Sequence, residues 1–298
     1  MSVRAWYPTR MIFRNTYRGG TWIDLEQPTQ EEIRKITREF SISERIEAEL
    51  LSPTPNSLVA GDHDAALLVL HFPERGANDG ETGSQEIDFV VGSHFIITVR
   101  YEVIAPLYGL KKLLETQELM EGHSPLTTDV ILEVLFAHLY TSVHDHTNLV
   151  AGNLARVEQE MFEGDERTTV RAISNISREF LHIEAALANQ EEPLSRFLKA
   201  LTQRDFFGAS FAERSERILA ERMQVARLIM THRAVATELR QTNIALLEER
   251  QNQIMKAFTI ITFTILLLDF IAHLFGIHAL GAPLANNPNE FWIILGIM

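Results

Sequence analysis

Three ionisable side chains stand in the most apolar part of the sequence. Asp269, His273 and His278 occur within LLLDFIAHLFGIHALG, where most neighbours are leucine, isoleucine or phenylalanine. An ionisable group at bilayer depth costs several kcal/mol unless it faces protein or a water-filled cavity. Carboxylates and imidazoles are also ligands of divalent cations. These residues therefore predict a polar, metal-binding side on a helix that is otherwise suited to lipid.

Alternating steps of three and four residues collect the polar groups of this helix on one face, which we call the polar seam. Its members are Asn252, Met255, Thr259, Thr262, Leu266, Asp269 and His273. The period of 3.5 residues is that of packed helices. One helix cannot enclose a cavity, but several copies around an axis can, and the seam would then line a pore. Rings of aspartate favour cations in such a pore.

A second interpretation of the same residues stays open. Asp269 and His273 are four residues apart, so they can pair on one helix and simply hold helices together. Thr259 and Thr262 share the seam with them, which favours the pore.

The apolar segment has the length and flanks of a transmembrane helix. Residues 257–278 match the roughly 20 residues that cross a bilayer core, although a buried helix of a soluble domain is the alternative. Arg250 and Lys256 precede the segment and no Lys or Arg follows it. By the positive-inside rule the N-terminal side is cytoplasmic, so we expect a protein of the cytoplasmic (inner) membrane.

The last residues predict a second passage through the membrane. FWIILGIM, residues 291–298, is apolar but far too short to span a bilayer. We expect it to be the start of a second transmembrane helix that continues beyond Met298, which makes the protein multi-pass. Residues 279–290 would form an extracytoplasmic loop, in which Glu290 is the acid available to attract cations.

Upstream of the span the sequence favours helix. No proline or glycine occurs from Ala212 to Phe275, which predicts one continuous helix of roughly 100 Å at 1.5 Å per residue. We assign residues 211–256 to a stalk helix. Residues 121–210 form a cytoplasmic helical region, with breaks predicted at Pro125, at Pro193 and at the FFGASF patch.

Residues 1–120 have the pattern of an α/β domain. Because long helices and a membrane span follow this domain, the fold class predicted for the whole chain is an α+β membrane protein. A strand in TWIDLEQ precedes a helix for which Thr29 and Glu32 form a capping box. Ala65–Pro73 and Glu86–Tyr101 are rich in β-branched and aromatic residues and predict strands, with a turn at Gly92.

Composition and motifs exclude several classes of function. The formal net charge is -13, from 27 Lys and Arg against 40 Asp and Glu, which argues against a nucleic-acid partner. No cysteine is present, so thiolate metal sites are impossible. No phosphate-binding loop, metalloprotease motif or nucleophile elbow occurs. We therefore predict no enzyme, no catalytic residue and no cofactor. The HDHTN stretch predicts a solvated helix face, because His144 and His146 cannot face one ion.

The segment Asn252–His278, NQIMKAFTIITFTILLLDFIAHLFGIH, resembles the pore helix of the CorA family of divalent-cation transporters, which includes zinc-transporting relatives. WIDLEQPTQEEI, LVLHFP and EIDFVVGSHFIITVRY resemble the family's N-terminal domain in the same order. The resemblance implies a homopentamer whose α/β domains form a cytoplasmic funnel. Five stalk helices would continue as the pore wall, with a second helix on the lipid side.

The chain departs from the family signature Gly-Met-Asn, which reads Gly276-Ile277-His278 here. In the family, asparagine carbonyls meet a hydrated ion, which suits magnesium because it gives up water reluctantly. The imidazole of His278 suits zinc, nickel or cobalt better. We hypothesise that Asp269, His273 and His278 form stacked metal-binding rings that select a softer ion. Drift of the signature with generic divalent transport is the alternative.

The predicted function is therefore a divalent cation channel or transporter, for magnesium, cobalt, nickel or zinc. Its partners would be further copies of the chain, the lipid bilayer and the cation. The alternative is a non-conducting, membrane-anchored sensor or scaffold with the same fold, which the loss of Gly-Met-Asn would favour.

Overall fold

The computed structural model describes residues 11–74, 83–118, 127–161, 166–204 and 206–276, together with Asn289, Trp292, Ile293 and Gly296. The chain divides into two compact units, one up to Leu239 and one from Arg240 onwards. The described strands are β1 (Met11–Tyr17), β2 (Gly20–Glu26), β3 (Leu58–Gly61), β4 (Ala65–Pro73), β5 (Ser84–Gly92) and β6 (Phe95–Arg100). The described helices are α1 (Gln30–Glu39), α2 (Glu44–Leu50), α3 (Ala105–Glu118), α4 (Thr128–Met161), α5 (Glu166–Gln203) and α6 (Phe211–Gly276).

The strands form one six-stranded sheet in the order β1-β2-β6-β5-β4-β3. β2 pairs with β6 in parallel, and the other neighbours are antiparallel. The strands predicted for TWIDLEQ, Ala65–Pro73 and Glu86–Tyr101 are confirmed, the last with its turn after Gly92. The mixed sheet with helices agrees with the predicted α/β character of the N-terminal part.

The sequence analysis did not identify β1, α2 or β3. The signal for β1 was a two-residue loop, Arg18-Gly19, that connects it to β2 as a hairpin. Gly20 follows this loop at a point where a Cβ atom would lie 2.2 Å from the carbonyl oxygen of His94. Only glycine allows the two backbones to approach this closely.

Helices cover both faces of the sheet because its strands are apolar on both sides. On one face Ile23, Leu25, Val69 and Val99 pack against the buried isoleucines and leucines of α1 and α2. On the other face the ring centroids of Phe89 in β5 and Phe136 in α4 lie 5.0 Å apart. The first unit therefore has three layers with the sheet in the middle.

The predicted capping box at the start of α1 is confirmed. The Thr29 hydroxyl accepts a hydrogen bond from the Glu32 backbone N–H at 3.2 Å. In return, the Thr29 backbone N–H donates to the Glu32 carboxylate at 2.7 Å. Two of the backbone donors that a helix start leaves unpaired are thus satisfied locally.

The predicted break at Pro193 is wrong, because α5 continues through this residue from Glu166 to Gln203. A proline removes one hydrogen bond from a helix interior. Here Leu187, Leu194 and Phe197 are buried on either side of it, and their packing outweighs that loss.

α4 and α5 run antiparallel, as shown by two cross-helix hydrogen bonds. The Tyr140 hydroxyl donates to Gln190 at 3.0 Å, and His146 Nε2 lies 2.8 Å from Glu179 Oε1. The predicted solvated face for HDHTN is therefore wrong at His146, which is buried in this helix pair. Glu179 is on α5, so no local pattern around His146 indicated its partner.

The continuous helix predicted between Ala212 and Phe275 is confirmed as α6, which spans Phe211–Gly276 in 66 residues. It contains the one candidate membrane span within the described residues. Its most apolar window of 18 residues has a mean hydropathy of 2.0, and none of that window is buried inside the protein. A core helix of a soluble domain would be mostly buried, so this exposure disfavours the soluble alternative.

Candidate ion pathway

The polar seam lies on one side of α6. At 100° per residue, its seven members fall within an arc of about 100° around the helix axis. All seven side chains are exposed in the single chain. The seam thus presents threonine hydroxyls, one carboxylate and one imidazole along a single line, together with the side chains of Asn252, Met255 and Leu266.

The other faces of the same segment are apolar and equally exposed. Ile260, Phe263 and Phe270 are 67%, 65% and 64% exposed, which is unusual for such side chains in a folded protein. This segment therefore has the two surfaces that a pore-lining membrane helix requires, one polar and one suited to lipid.

Asp269 and His273 are in contact on one helix. His273 Nδ1 lies 2.9 Å from the Asp269 carbonyl oxygen and 3.3 Å from its carboxylate oxygen Oδ1. The side chains of Asp269 and His273 remain 67% and 78% exposed. The pairing that the sequence left as an alternative is thus present, and it leaves both groups accessible.

Two threonines of this segment have the same local geometry on different faces. Thr259, on the seam, donates its hydroxyl hydrogen to the Met255 carbonyl at 2.8 Å. Thr264 donates to the Ile260 carbonyl at the same distance, about 140° away around the helix. Since each hydroxyl hydrogen is used by the helix, the oxygen lone pairs face outwards. On the seam such lone pairs can accept hydrogen bonds from the water shell of a cation.

Within the described part of one chain, no three His, Asp or Glu side chains are grouped so that they could hold a metal ion. Asp269 and His273 of one chain therefore supply at most two side-chain ligands to a cation. Gly276 is the last residue of α6. Ile277 and His278 of the predicted filter, and Glu290 of the predicted loop, lie outside the described residues, so their roles stay predictions.

The first unit contains a buried ionic network that the sequence analysis missed. Asp24 Oδ2 lies 3.0 Å from Arg100 Nη2 and 2.5 Å from Lys111 Nζ, and its Oδ1 accepts from Thr98 at 2.6 Å. Arg100 also pairs with Glu26 at 2.6 Å. Two acids and two bases balance, and all four are buried. Burial lowers the pKa of Arg100, but the charge and hydrogen bonds of Asp24 together with the charge of Glu26 outweigh this and leave the pKa raised.

A second buried group, on the opposite face of the sheet, is not balanced. Asp88 is fully buried, and its Oδ2 accepts from the Tyr101 hydroxyl at 3.3 Å. Burial, followed by the charge of Glu86, raises the pKa of Asp88 well above its usual range. The hydrogen bond that His71 donates to the Glu86 carboxylate raises the pKa of His71. Both clusters belong to the first unit and are far from the polar seam in the sequence. We therefore connect them with the stability of the first unit and not with the ion pathway.

The fold and the seam together define a class of protein. An α/β unit is followed by a long helix whose final third has the length and composition of a membrane span and a polar side. The sequence model described as CorA-like Mg2+ transporter protein matches residues 17–298. The chain therefore belongs to this family, as its motifs indicated.

Similar proteins agree with this assignment. The cobalt/magnesium transport protein CorA of Methanocaldococcus jannaschii is 21% identical over 287 residues, which are 93% of this chain and 86% of that protein. The complete structure of that magnesium transporter matches with a TM-score of 0.77 at 20% identity, again over 93% and 86% of the two chains.

Two further relatives extend the comparison. The divalent cation transporter CmaX of Pseudomonas aeruginosa is 27% identical over 195 residues, which are 64% of this chain and 56% of that protein. The ZntB cytoplasmic domain of Vibrio parahaemolyticus matches with a TM-score of 0.60 at 11% identity, over 78% of this chain and 89% of that domain. At this identity the structural likeness shows a shared fold.

Proposed function

We propose that this chain is one subunit of a homopentameric channel or transporter for divalent metal cations in the cytoplasmic membrane. The observation that carries the proposal is the polar seam on a helix whose other faces are apolar and exposed. Five seams around an axis would place carboxylate, imidazole and hydroxyl groups towards the ions and apolar side chains towards lipid and neighbouring helices. The family assignment supports transport as the activity of such a pore.

The exposed apolar residues of α6 support assembly from several copies. Met223, Met230 and Ile244 are 44%, 61% and 46% exposed, and their spacings are multiples of seven. A seven-residue apolar repeat is the pattern by which helices pack side by side. Contacts with neighbouring α6 helices would remove these side chains from water.

The proposed arrangement in the membrane follows the order of the chain. Residues 1–120 form the funnel domain, 121–210 the cytoplasmic helical region and 211–256 the stalk. Residues 257–278 form the pore-lining span, 279–290 an extracytoplasmic loop with Glu290, and 291–298 the start of a second span. Arg250 and Lys256 before the first span support a cytoplasmic N-terminus.

We further propose that the pore selects a softer divalent ion than magnesium. Asp269 and His273 stand where the family has a small polar residue and a glycine, and His278 stands where it has the asparagine of Gly-Met-Asn. Imidazole nitrogen favours zinc, nickel and cobalt over magnesium, which prefers oxygen ligands and keeps its water. In this proposal the metal ion is the transported substrate.

The first test is divalent flux into proteoliposomes that contain the purified protein. Magnesium, cobalt, nickel and zinc are compared at equal concentration, with a pH-sensitive dye inside. We expect saturable flux with a higher rate for at least one softer ion. Absence of flux from a folded, correctly oriented pentamer would reject transport and leave the membrane-anchored sensor or scaffold.

A second test locates the pathway with a matched pair of variants. The natural chain has no cysteine, so Thr259→Cys and Thr264→Cys each carry a single thiol. The two threonines have the same backbone hydrogen bond and differ in the helix face on which they lie. A charged thiol reagent reacts only with a hydrated thiolate. We expect it to block flux through Thr259→Cys and leave Thr264→Cys unaffected; equal behaviour of the two variants would place the pathway elsewhere.

A further inference from the structure

The geometry points to different roles for Asp269 and His273: we infer that His273 Nε2 is the ligand of the cation and that Asp269 is a positioning residue that orients the imidazole. This inference rests on the proposed function, because it names the chemistry of that same site. In the proposed pentamer, five oriented imidazoles and not five free carboxylates would then contact the cation.

The contacts of His273 decide which ring nitrogen carries the hydrogen. The two groups close to His273 Nδ1 are the carbonyl oxygen of Asp269 at 2.9 Å and its carboxylate oxygen at 3.3 Å. Both can only accept a hydrogen bond. The contacts are attractive only when Nδ1 carries the hydrogen, so the neutral ring holds its free lone pair on Nε2.

The lone pair on His273 Nε2 is accessible from outside the helix. The His273 side chain is 78% exposed, and Nε2 has no hydrogen-bond partner among the described residues. Since Nδ1 is held against its own helix, Nε2 lies on the far side of the ring. A neutral imidazole with a free Nε2 is a metal ligand for zinc, nickel or cobalt.

The Asp269 carboxylate is placed to support the ring. A histidine that binds a metal usually donates its other N–H to a carboxylate or a backbone carbonyl, which fixes the ring and makes the nitrogen more basic. The Asp269 backbone carbonyl accepts the Nδ1–H of His273 at 2.9 Å, and the Asp269 carboxylate lies 3.3 Å from the same nitrogen. The carboxylate thus lies beside the hydrogen-bearing nitrogen, where it can orient the ring and act on the ion through it. An oriented imidazole selects zinc, nickel or cobalt more specifically than negative charge alone would.

The two roles predict different results for two substitutions of the same residue. Asp269→Asn removes the charge but keeps a side-chain oxygen that can accept from Nδ1–H. Asp269→Ala removes both. If Asp269 positions the imidazole, Asn preserves soft-ion binding and Ala weakens it; if Asp269 acts as a ring of charge, the two variants lose the same amount.

The experiment measures zinc binding by calorimetry on the full chain purified in detergent, and in parallel zinc inhibition of magnesium or cobalt flux in proteoliposomes. We expect His273→Ala to weaken zinc binding at this site by about 100-fold and Asp269→Ala by about 10-fold, because the backbone carbonyl of residue 269 still accepts from the ring. Asp269→Asn should stay close to the parent protein. Thr264→Ala, on another face of α6, is the control and should change nothing.

Equal losses for Asp269→Asn and Asp269→Ala, or unchanged zinc binding in His273→Ala, would overturn the inference. Sedimentation of each variant checks that the assembly is retained, and a variant that dissociates is replaced by Asp269→Ser, which shortens the side chain and keeps it polar. If transport itself is absent, the calorimetry still decides the roles of the two residues. If the variants still conduct ions but none of them changes zinc binding, this inference is wrong and the proposed transport function stands.

Discussion

Asp24 and Asp269 show how differently the two units treat a carboxylate. Asp24 is fully buried and lies within 3.0 Å of Arg100 and Lys111. The side chain of Asp269 is 67% exposed, and its partner is a histidine of the same helix. The first unit neutralises the charge of Asp24 with its own residues, whereas the second leaves Asp269 facing outwards. The second unit therefore depends on surroundings that one chain does not provide.

The apolar residues follow the same division. In the first unit Ile23, Leu67 and Val90 are completely buried in the sheet. In the second, Ile260 and Phe263 are about two-thirds exposed. Apolar surface of this extent is stable only against lipid or protein. The first unit is expected to hold its fold independently of the bilayer, and the second is not.

The largest effect should come from breaking the buried ionic network. Arg100→Met leaves Asp24 and Glu26 buried with Lys111 as their remaining cation, and loss of one partner of a buried ion pair costs about 3–5 kcal/mol. Urea unfolding of the protein in detergent, followed through the buried Trp22, measures the change. The control is Arg233→Met, because Arg233 pairs with Glu184 at the surface and should cost less than about 1 kcal/mol. Similar costs for both variants would contradict the comparison.

A gain in stability is expected where the first unit buries an unbalanced acid. Asp88→Asn should stabilise it by about 1–3 kcal/mol at pH 7, because the amide carries no charge and the cost of burying a carboxylate is removed. The pKa of Asp88 is raised in the fold, so the folded state binds its proton more tightly. The penalty is therefore absent at pH below the unfolded value near 3.8 and grows as the pH rises.

The measurement for Asp88 is urea unfolding of the parent and the variant between pH 4 and pH 8. The two stabilities should converge at the acidic end and separate towards neutral pH. Glu39→Gln is the control, and its effect on stability should have the opposite pH dependence. The hydrogen bond from Arg14 lowers the pKa of Glu39, so the stability that Glu39 contributes is lost as the pH falls. A gain for Asp88→Asn that does not depend on pH would show that burial of its charge is not the cause.

A local interaction of the first unit should contribute less than either buried cluster. Thr29→Ala removes the hydroxyl that accepts from the Glu32 backbone, and loss of such a cap costs about 1 kcal/mol. Thr29→Ser keeps the cap and should restore most of that stability. If Thr29→Ser and Thr29→Ala are equally unstable, the methyl group and not the capping box is responsible.

The smallest effect is expected at Asp269. Asp269→Asn should change the unfolding of the first unit by less than about 0.5 kcal/mol, the usual range for an exposed side chain. Asp24→Asn is the matched substitution in the buried network and should be clearly destabilising. A comparable loss for both would mean that the two carboxylates are not treated differently by the fold.

Much of the fold could be predicted because its signals are local. The strand Ala65–Pro73, the capping box at Thr29 and the continuous helix α6 all depend on residues close together in the chain. A break was predicted at Pro193 because proline disfavours a helix interior, which is also a local signal. Packing on both sides of Pro193 overrides that preference, and α5 continues. β3 was missed because four residues carry little periodicity.

The residues of the candidate site were also predictable from a local signal, the spacing along one helix. The polar seam follows from helical periodicity alone, so its membership needed no tertiary information. The roles within it did need structure, because the rotamer that places His273 Nδ1 on Asp269 decides which nitrogen is free. His146 illustrates the limit, since its partner Glu179 is 33 positions away on another helix.

The sequence alone determined the types of most elements, the apolar span and the polar face along it, since these depend on spacings of two to four residues. Only the tertiary structure decided which charges are neutralised in the interior. Asp24 and Arg100 are 76 positions apart and meet because β2 and β6 pair in parallel. Such pairing depends on the register of the whole sheet, which no local spacing encodes.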